Sequence, residues 1–320
     1  MMRLYQDKRW LGTRFLICLL LVLLTISVIA VSSAFVSAQT NIAAHNAAQQ
    51  KAAAPQKTSN QAKNTVNTTP VTVAQQTGAV PAAISMDALS PTLAAYLTTL
   101  GSHAGVEVYD LTHQRTYSYG NTTRFITGSS IKVSIMCAFF AQEEKENNEP
   151  DANDMNLLTT MIENSDNDAA TTLFNDIGRA TGLAAYLKQI GVTTLIPDND
   201  AWGYSQITPA TMVELLTKLH DGTILTANDR ATALNLMGNI EDDQQWGVGE
   251  SAPDGAKFAM KNGWLPGPDG LWTVNSSGIV TSGRETYILS VYTQEQQSFA
   301  AGQALVGHIC SGVVAALPKS

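Results

Sequence analysis

Apolar and polar positions follow three rhythms along this chain, and the changes of rhythm divide it. From Phe15 to Ala38 there is no charged residue, and Phe15–Val31 is almost continuously apolar. That run is long enough to begin a bilayer span. Basic residues precede it, so residues 1–14 are expected in the cytoplasm and the remainder across the membrane. Val36-Ser37-Ala38 also resembles a signal-peptidase site, so an anchor and a cleaved signal over 15–38 are both open, with the length of the run favouring the anchor. The run continues well past Cys18, which argues against lipid attachment there. Residues 39–85 are Ala, Gln, Asn, Thr, Lys and Pro with almost no aromatics. Such a composition cannot bury enough surface to offset chain entropy, and a disordered tether is expected.

The pattern of a folded domain starts near Met86 and runs to 320. Ser90-Pro91 is a cap followed by a first-turn proline, and Gly101 closes that helix. Gly105–Leu111 and Thr116–Tyr119 flank a polar turn and predict a hairpin. A helix is expected from Ser129 through Val133, Met136 and Phe140. Further helices are expected over Met155–Glu163, over Asp168–Ile190 with a break near Gly178, from Thr208-Pro209 to Gly222, and over Thr226–Met237. From Phe258 the rhythm turns to strands: Phe258–Lys261, Leu271–Val274, Ser277–Val280 and Thr286–Tyr292. Glu295–Ala316 reads as a closing helix with an apolar stripe. The predicted class is α+β: an antiparallel sheet built from both ends of the domain, with flanking helices and an inserted all-helical subdomain.

Charge sharpens the picture. The net charge of −8 is uneven: residues 1–14 carry +3 and residues 39–85 carry +3, which leaves −14 on residues 86–320. An acidic domain is poorly suited to a phosphate backbone, so nucleic acid is set aside as a partner. The three cysteines form no Cys-x-x-Cys, no zinc site is suggested, and Cys137 and Cys310 are expected to be buried thiols. Glu241-Asp242-Asp243 reads as a solvated turn. His103, His113, His220 and His308 lie in turns or at helix positions, and no Gly-x-Ser-x-Gly elbow accompanies them, which disfavours a Ser-His-Asp hydrolase.

Three short stretches carry chemistry. Gly128-Ser129-Ser130-Ile131-Lys132 puts a hydroxyl and an amine three residues apart, on one helical face at a helix start. Unpaired N–H groups and the helix dipole favour developing negative charge there. A serine needs a base, and a desolvated Lys132 can lose its proton and serve as one. Ser165-Asp166-Asn167 falls on an inter-helix loop, where a helix cap is the simple reading. Lys261-Asn262-Gly263 falls at the end of a predicted strand, where a turn is the simple reading. Each signal alone is weak.

Their order is specific. Ser-x-x-Lys, then Ser-Asp-Asn, then Lys-x-Gly resembles the set of class A β-lactamases and penicillin-binding proteins. Arg124-Phe125, Ser165–Ala170, Tyr186-Leu187 with Gly191, and Thr208–Leu216 add to the likeness. Residues 86–320 therefore resemble a class A β-lactamase-type serine hydrolase. The resemblance implies roles. Ser129 would form an acyl-enzyme with a β-lactam or peptidoglycan-type amide, and Lys132 would take its proton. Ser165 would pass a proton to the leaving nitrogen, and Asn167 would hold Lys132 and the substrate amide. Lys261 would face a substrate carboxylate, with Asn262, Gly263 and Trp264 lining the substrate site. The oxyanion would sit between the backbone N–H groups of Ser129 and Trp264. No cofactor and no metal are implied, and a monomer is expected.

Three departures modify this reading. Asn262 stands where the family has Ser or Thr. Trp264 follows where small residues are common. The loop Thr194–Ile207 has no Glu to activate a deacylating water, and Asp198 and Asp200 are its candidate substitutes. Slow turnover of β-lactams is the expected consequence. A D-alanyl-D-alanine carboxypeptidase and a non-catalytic wall-binding module on the same scaffold are the alternatives.

Overall fold

The computed structural model describes residues 79–319, all within one compact unit. The anchor or signal expected over 15–38 and the 39–78 part of the expected tether lie outside the described residues. Ile84–Ser85, expected to end the tether, instead forms a first short strand, β1, directly before Met86. Helix α1 (Pro91–Leu100) begins as its cap foretells, with Ser90 Oγ accepting from Leu93 N. The hairpin follows as β2 (Ala104–Asp110) and β3 (Arg115–Tyr119). A short strand β4 (Phe125–Ile126) leads through a 3-10 turn, Gly128–Ile131, into helix α2 (Lys132–Glu146).

Three helices make the inserted block: α3 (Ala152–Glu163), α4 (Asn167–Asp176) and α5 (Arg179–Gln189). Helix α3 opens with a capping box between Asp151 and Asp154. Strand β5 (Gln206–Ile207) pairs with β4. Helix α6 (Pro209–Asp221) starts at Thr208 and ends at Gly222 in the left-handed region, φ 70°. Helices α7 (Ala227–Gly238) and α8 (Val248–Ser251) precede the long strands β6 (Lys257–Pro266), β7 (Trp272–Ser282) and β8 (Glu285–Gln296). Helix α9 (Phe299–Ala316) closes the domain.

The main sheet runs β1-β3-β2-β8-β7-β6. It is antiparallel except for β1 against β3. Strands from both ends of the domain meet at β2 and β8, so the α+β architecture is as the pattern implied. Two details differ. Leu271–Val274 and Ser277–Val280 are parts of the single strand β7. Lys261–Gly263 lies in the middle of β6, because the strand continues through Trp264 and Leu265 to Pro266.

Alternation along the central strands gives the sheet two buried faces. Val106, Val108, Leu289 and Val291 pack with Val306, Ile309 and Val313 of α9 and with α1. Tyr109, Ile288 and Tyr292 face the other way, toward α6 and the helical block. Helix α9 is apolar and long enough to cross a membrane, and it is spent on the first of these cores. Cys137 and Cys310 are both buried and unpaired, in different cores.

Candidate active site

The site forms where the 3-10 turn, the α3–α4 loop and β6 converge. Gly128 adopts φ 52°, a conformation open to glycine. A Cβ there would stand 2.7 Å from the Trp264 backbone N. One at Gly263 would stand 2.2 Å from Thr127 O and 2.8 Å from Ser130 N. Two glycines therefore let the turn and the strand lie against each other, which brings the backbone of Ser129 and of Trp264 to one place. Asn275 Nδ2 clamps the junction by donating to Thr127 O at 2.9 Å. Ser130 Oγ lies 2.9 Å from Tyr292 OH on β8.

Ser129 is half-buried at the start of the turn, and its hydroxyl makes no hydrogen bond among the described residues. Lys132, one turn on, is fully buried. Its Nζ donates to Ser165 O at 2.6 Å, to Asn167 Oδ1 at 2.8 Å and to Ser165 Oγ at 3.3 Å. Burial, with the positive charge of Lys261 adding to it, pulls this amine down to about 6, against a smaller opposing effect of Asp166. Ser165 holds φ 57°, which turns the loop toward Lys132. Asp166 is the cap of α4, accepting from Ala169 N at 2.7 Å, so the simple cap reading holds for the middle residue of Ser-Asp-Asn.

Lys261 is 1% exposed, and burial lowers it to about 7, with Glu241 opposing. Its Nζ reaches Gln244 Oε1 at 3.4 Å, and Gln244 Nε2 donates to Asn164 O at 3.2 Å. Gln244 thus joins the strand lysine to the residue before Ser165. Sequence reasoning missed it, because it sits in an acidic polar run that reads as solvated.

Asn262 does not face this cluster. It is fully buried, and Nδ2 donates to Gln244 O at 2.6 Å and Trp246 O at 3.2 Å. Trp264 lines the cavity while its ring packs on Trp246 and Phe299, with centroids 6.1 and 5.4 Å away.

The cavity over Ser129 measures about 430 Å³. Ser165, Asn167, Phe174, Arg179, Asp200 and Trp202 share its wall. Asp198 is not on that wall: its carboxylate accepts from Asp200 N and Ala201 N at 2.9 and 2.8 Å and braces the loop. Trp202, another residue the sequence did not single out, lies over Lys132 and donates from Nε1 to Thr171 Oγ1 at 3.1 Å. One grouping of metal-type ligands occurs among the described residues, Asp110, His113 and Glu285, and none of the three lines this cavity.

A buried amine beside a serine, at a helix start facing a strand backbone, on an α+β scaffold, defines the class of β-lactamase-like serine hydrolases. The model of the beta-lactamase enzyme family matches residues 150–317, and the chain belongs to that family. The solved structure of the TLA-3 extended-spectrum beta-lactamase is similar, with TM-score 0.65 and 19% identity, covering 72% of this chain and 98% of that one. A point mutant of PBP-A, solved as an acyl-enzyme complex with penicillin G, gives TM-score 0.65 and 19% identity over 74% of this chain and 98% of that one. A class A beta-lactamase from Bacteroides cellulosilyticus gives TM-score 0.63 and 17% identity over 71% and 96%. No curated protein sequence matches the chain. At these identities the structural likeness concerns the fold, and the roles of individual residues stand on the geometry above.

Proposed function

We propose that this chain is an exported hydrolase that acylates Ser129 with β-lactams or peptidoglycan-type peptides and releases the product slowly. One observation carries the reading: the Lys132 amine is buried, depressed to about 6, and held by Ser165 and Asn167 on the same turn as Ser129. A neutral Lys132 takes the Ser129 proton as Oγ attacks the carbonyl carbon. The N–H groups of Ser129 and Trp264 receive the oxyanion; removing one such donor typically costs about 2.7–4 kcal/mol of barrier. The Ser165 hydroxyl passes a proton to the departing nitrogen. Asn167 holds the substrate amide, and Lys261 supplies positive charge toward a substrate carboxylate.

Release is slow because the Thr194–Ile207 loop carries no Glu, Asp198 is committed to its own turn, and Asp200, which does line the cavity, has a shorter side chain than the missing Glu. The 15–38 segment holds the domain outside the cell membrane on the tether that begins at residue 39, and the domain works as a monomer without cofactor. A lasting penicillin G adduct on Ser129, seen by intact mass and absent in Ser129→Ala, is the expected result. Rapid nitrocefin hydrolysis would refute slow release, and the absence of any adduct would refute the acyl-enzyme. The burial of Asn262 favours a second reading, a non-catalytic wall-binding module, since it removes a side chain that would meet the substrate carboxylate. The same adduct would eliminate it.

A further inference from the structure

We propose that the wall built by α4, α5 and residues 200–204 is a second subsite, where Arg179 and Asp200 grasp the carboxylate and the ammonium of a substrate arm ending in an amino-acid head group. The inference rests on the reading of the Ser129 cavity as an acylation site. Arg179 is the first residue of α5 and holds φ 57°, directly after Gly178 at φ 81°. A left-handed arginine is uncommon, and such positions cluster where a side chain must be aimed. Its guanidinium is fixed on three sides. NH1 donates to Asn175 Oδ1 at 3.1 Å, NH2 donates to Asn199 O at 2.6 Å, and the Phe174 ring centroid lies 5.9 Å from Cζ.

Two bonds leave unused part of a five-donor fork that matches a carboxylate. No carboxylate stands within ion-pair distance of it among the described residues, although the folded domain is strongly acidic. Asp200 follows Asn199, the residue whose carbonyl Arg179 holds. Its backbone N–H is tied to Asp198, and its carboxylate makes no hydrogen bond or ion pair among the described residues. Both residues line the cavity that Ser129, Ser165 and Asn167 also line. Two neighbouring opposite charges that face one cavity without neutralising each other are complementary to a zwitterion. A loop tether alone would account for the bond to Asn199 but not for an unpaired Asp200 carboxylate on the same wall, which is also the loop's candidate deacylation base.

Cephalosporin C and cephalothin share a nucleus; the first ends its side arm in an amino-acid group, the second in a neutral thiophene. Equilibrium binding of both to the full chain carrying Ser129→Ala, in detergent, tests the subsite without acylation. Cephalosporin C is expected to bind about tenfold more tightly. Adding Arg179→Ala, or separately Asp200→Asn, should erase most of that preference. Thermal melts check folding, and Asp200→Asn leaves the Asn199 tether intact if Arg179→Ala does not fold. Equal binding of the two probes, or a preference that survives both substitutions, overturns the subsite. Acylation of the wild type by either probe is read separately: its absence would defeat the acyl-enzyme reading and leave the binding result to decide the subsite.

Discussion

The Lys132 Nζ lies 4.9 Å from the centroid of the Trp202 ring. The indole covers a side of the amine that Ser165 and Asn167 leave free, and Thr171 anchors its far edge. Burial as a whole is the main reason the amine sits near 6, and the indole is one of the groups that keep water from it. Trp202→Ala should therefore let water in and raise the Lys132 pKa. The acid limb of the penicillin acylation profile is expected to move up by roughly one pH unit. Trp202→Phe should keep most of the cover and move it less. An unmoved or lowered limb in Trp202→Ala would mean that the attraction of the ring face for the charged amine matches or outweighs its exclusion of water.

On the proposed mechanism the two lysines should set opposite limbs of that profile. Acylation needs Lys132 neutral, so the rate constant should rise through about pH 6. Pairing with a substrate carboxylate needs Lys261 charged, so the rate constant should fall as pH passes about 7. Because kcat/KM reports the free enzyme, the profile for an anionic β-lactam should be a narrow bell. A methyl ester of the same β-lactam should lose the descending limb. Stability follows a related sign. Both amines are held below the usual lysine range, so the unfolded chain binds more protons from about pH 6 up to the range of a free lysine. Melting temperature should rise with pH across that window, and Lys132→Met should flatten part of the rise.

What the sequence discloses and what it conceals follow from how local each cause is. Ser90-Pro91 and Thr208-Pro209 announce their helices because a cap and its proline act within one turn. The Ser129–Lys132 spacing is legible for the same reason. Lys261–Gly263 looked like a strand end because Asn and Gly usually end strands. Here the glycine is required by the approach of Thr127 and Ser130, which lie far back in the chain. Asn275-Ser276 looked like a gap in β7, yet both side chains are spent inside the domain, on Thr127 O and on Val248 N. Gln244 and Trp202 gave no local sign, since their partners arrive only with the tertiary fold.

Asn262 is expected to act on stability before recognition. Its amide satisfies two buried carbonyls, Gln244 O and Trp246 O, in the segment that also carries the Gln244 link to Lys261. Asn262→Thr restores the residue type of the resembled family and removes at least one of these donors. A buried acceptor left unpaired costs about 1–3 kcal/mol. The substitution should lower the melting temperature by several degrees and leave penicillin acylation no faster. A stable variant with faster acylation would show that Asn262 had been a poor substitute for a hydroxyl facing the substrate.

The contact between the 3-10 turn and β6 is the most sensitive place in the site. At Gly263 a methyl group would stand 2.2 Å from Thr127 O, and both sides of the contact are backbone, which cannot swing away. Gly263→Ala must push the strand from the turn, and overpacking of this kind costs about 1–3 kcal/mol. The larger effect should be chemical. Moving β6 carries the Trp264 N–H away from Ser129, and losing one oxyanion donor slows acylation by about 10²–10³. Gly307 on α9 has nothing within 4 Å of a would-be Cβ and serves as the control. Gly307→Ala should leave acylation unchanged and raise stability by up to about 1 kcal/mol, because it adds helix propensity without crowding. If Gly263→Ala acylates as fast as the parent, Trp264 N–H is no part of the oxyanion site and the assignment of that donor fails.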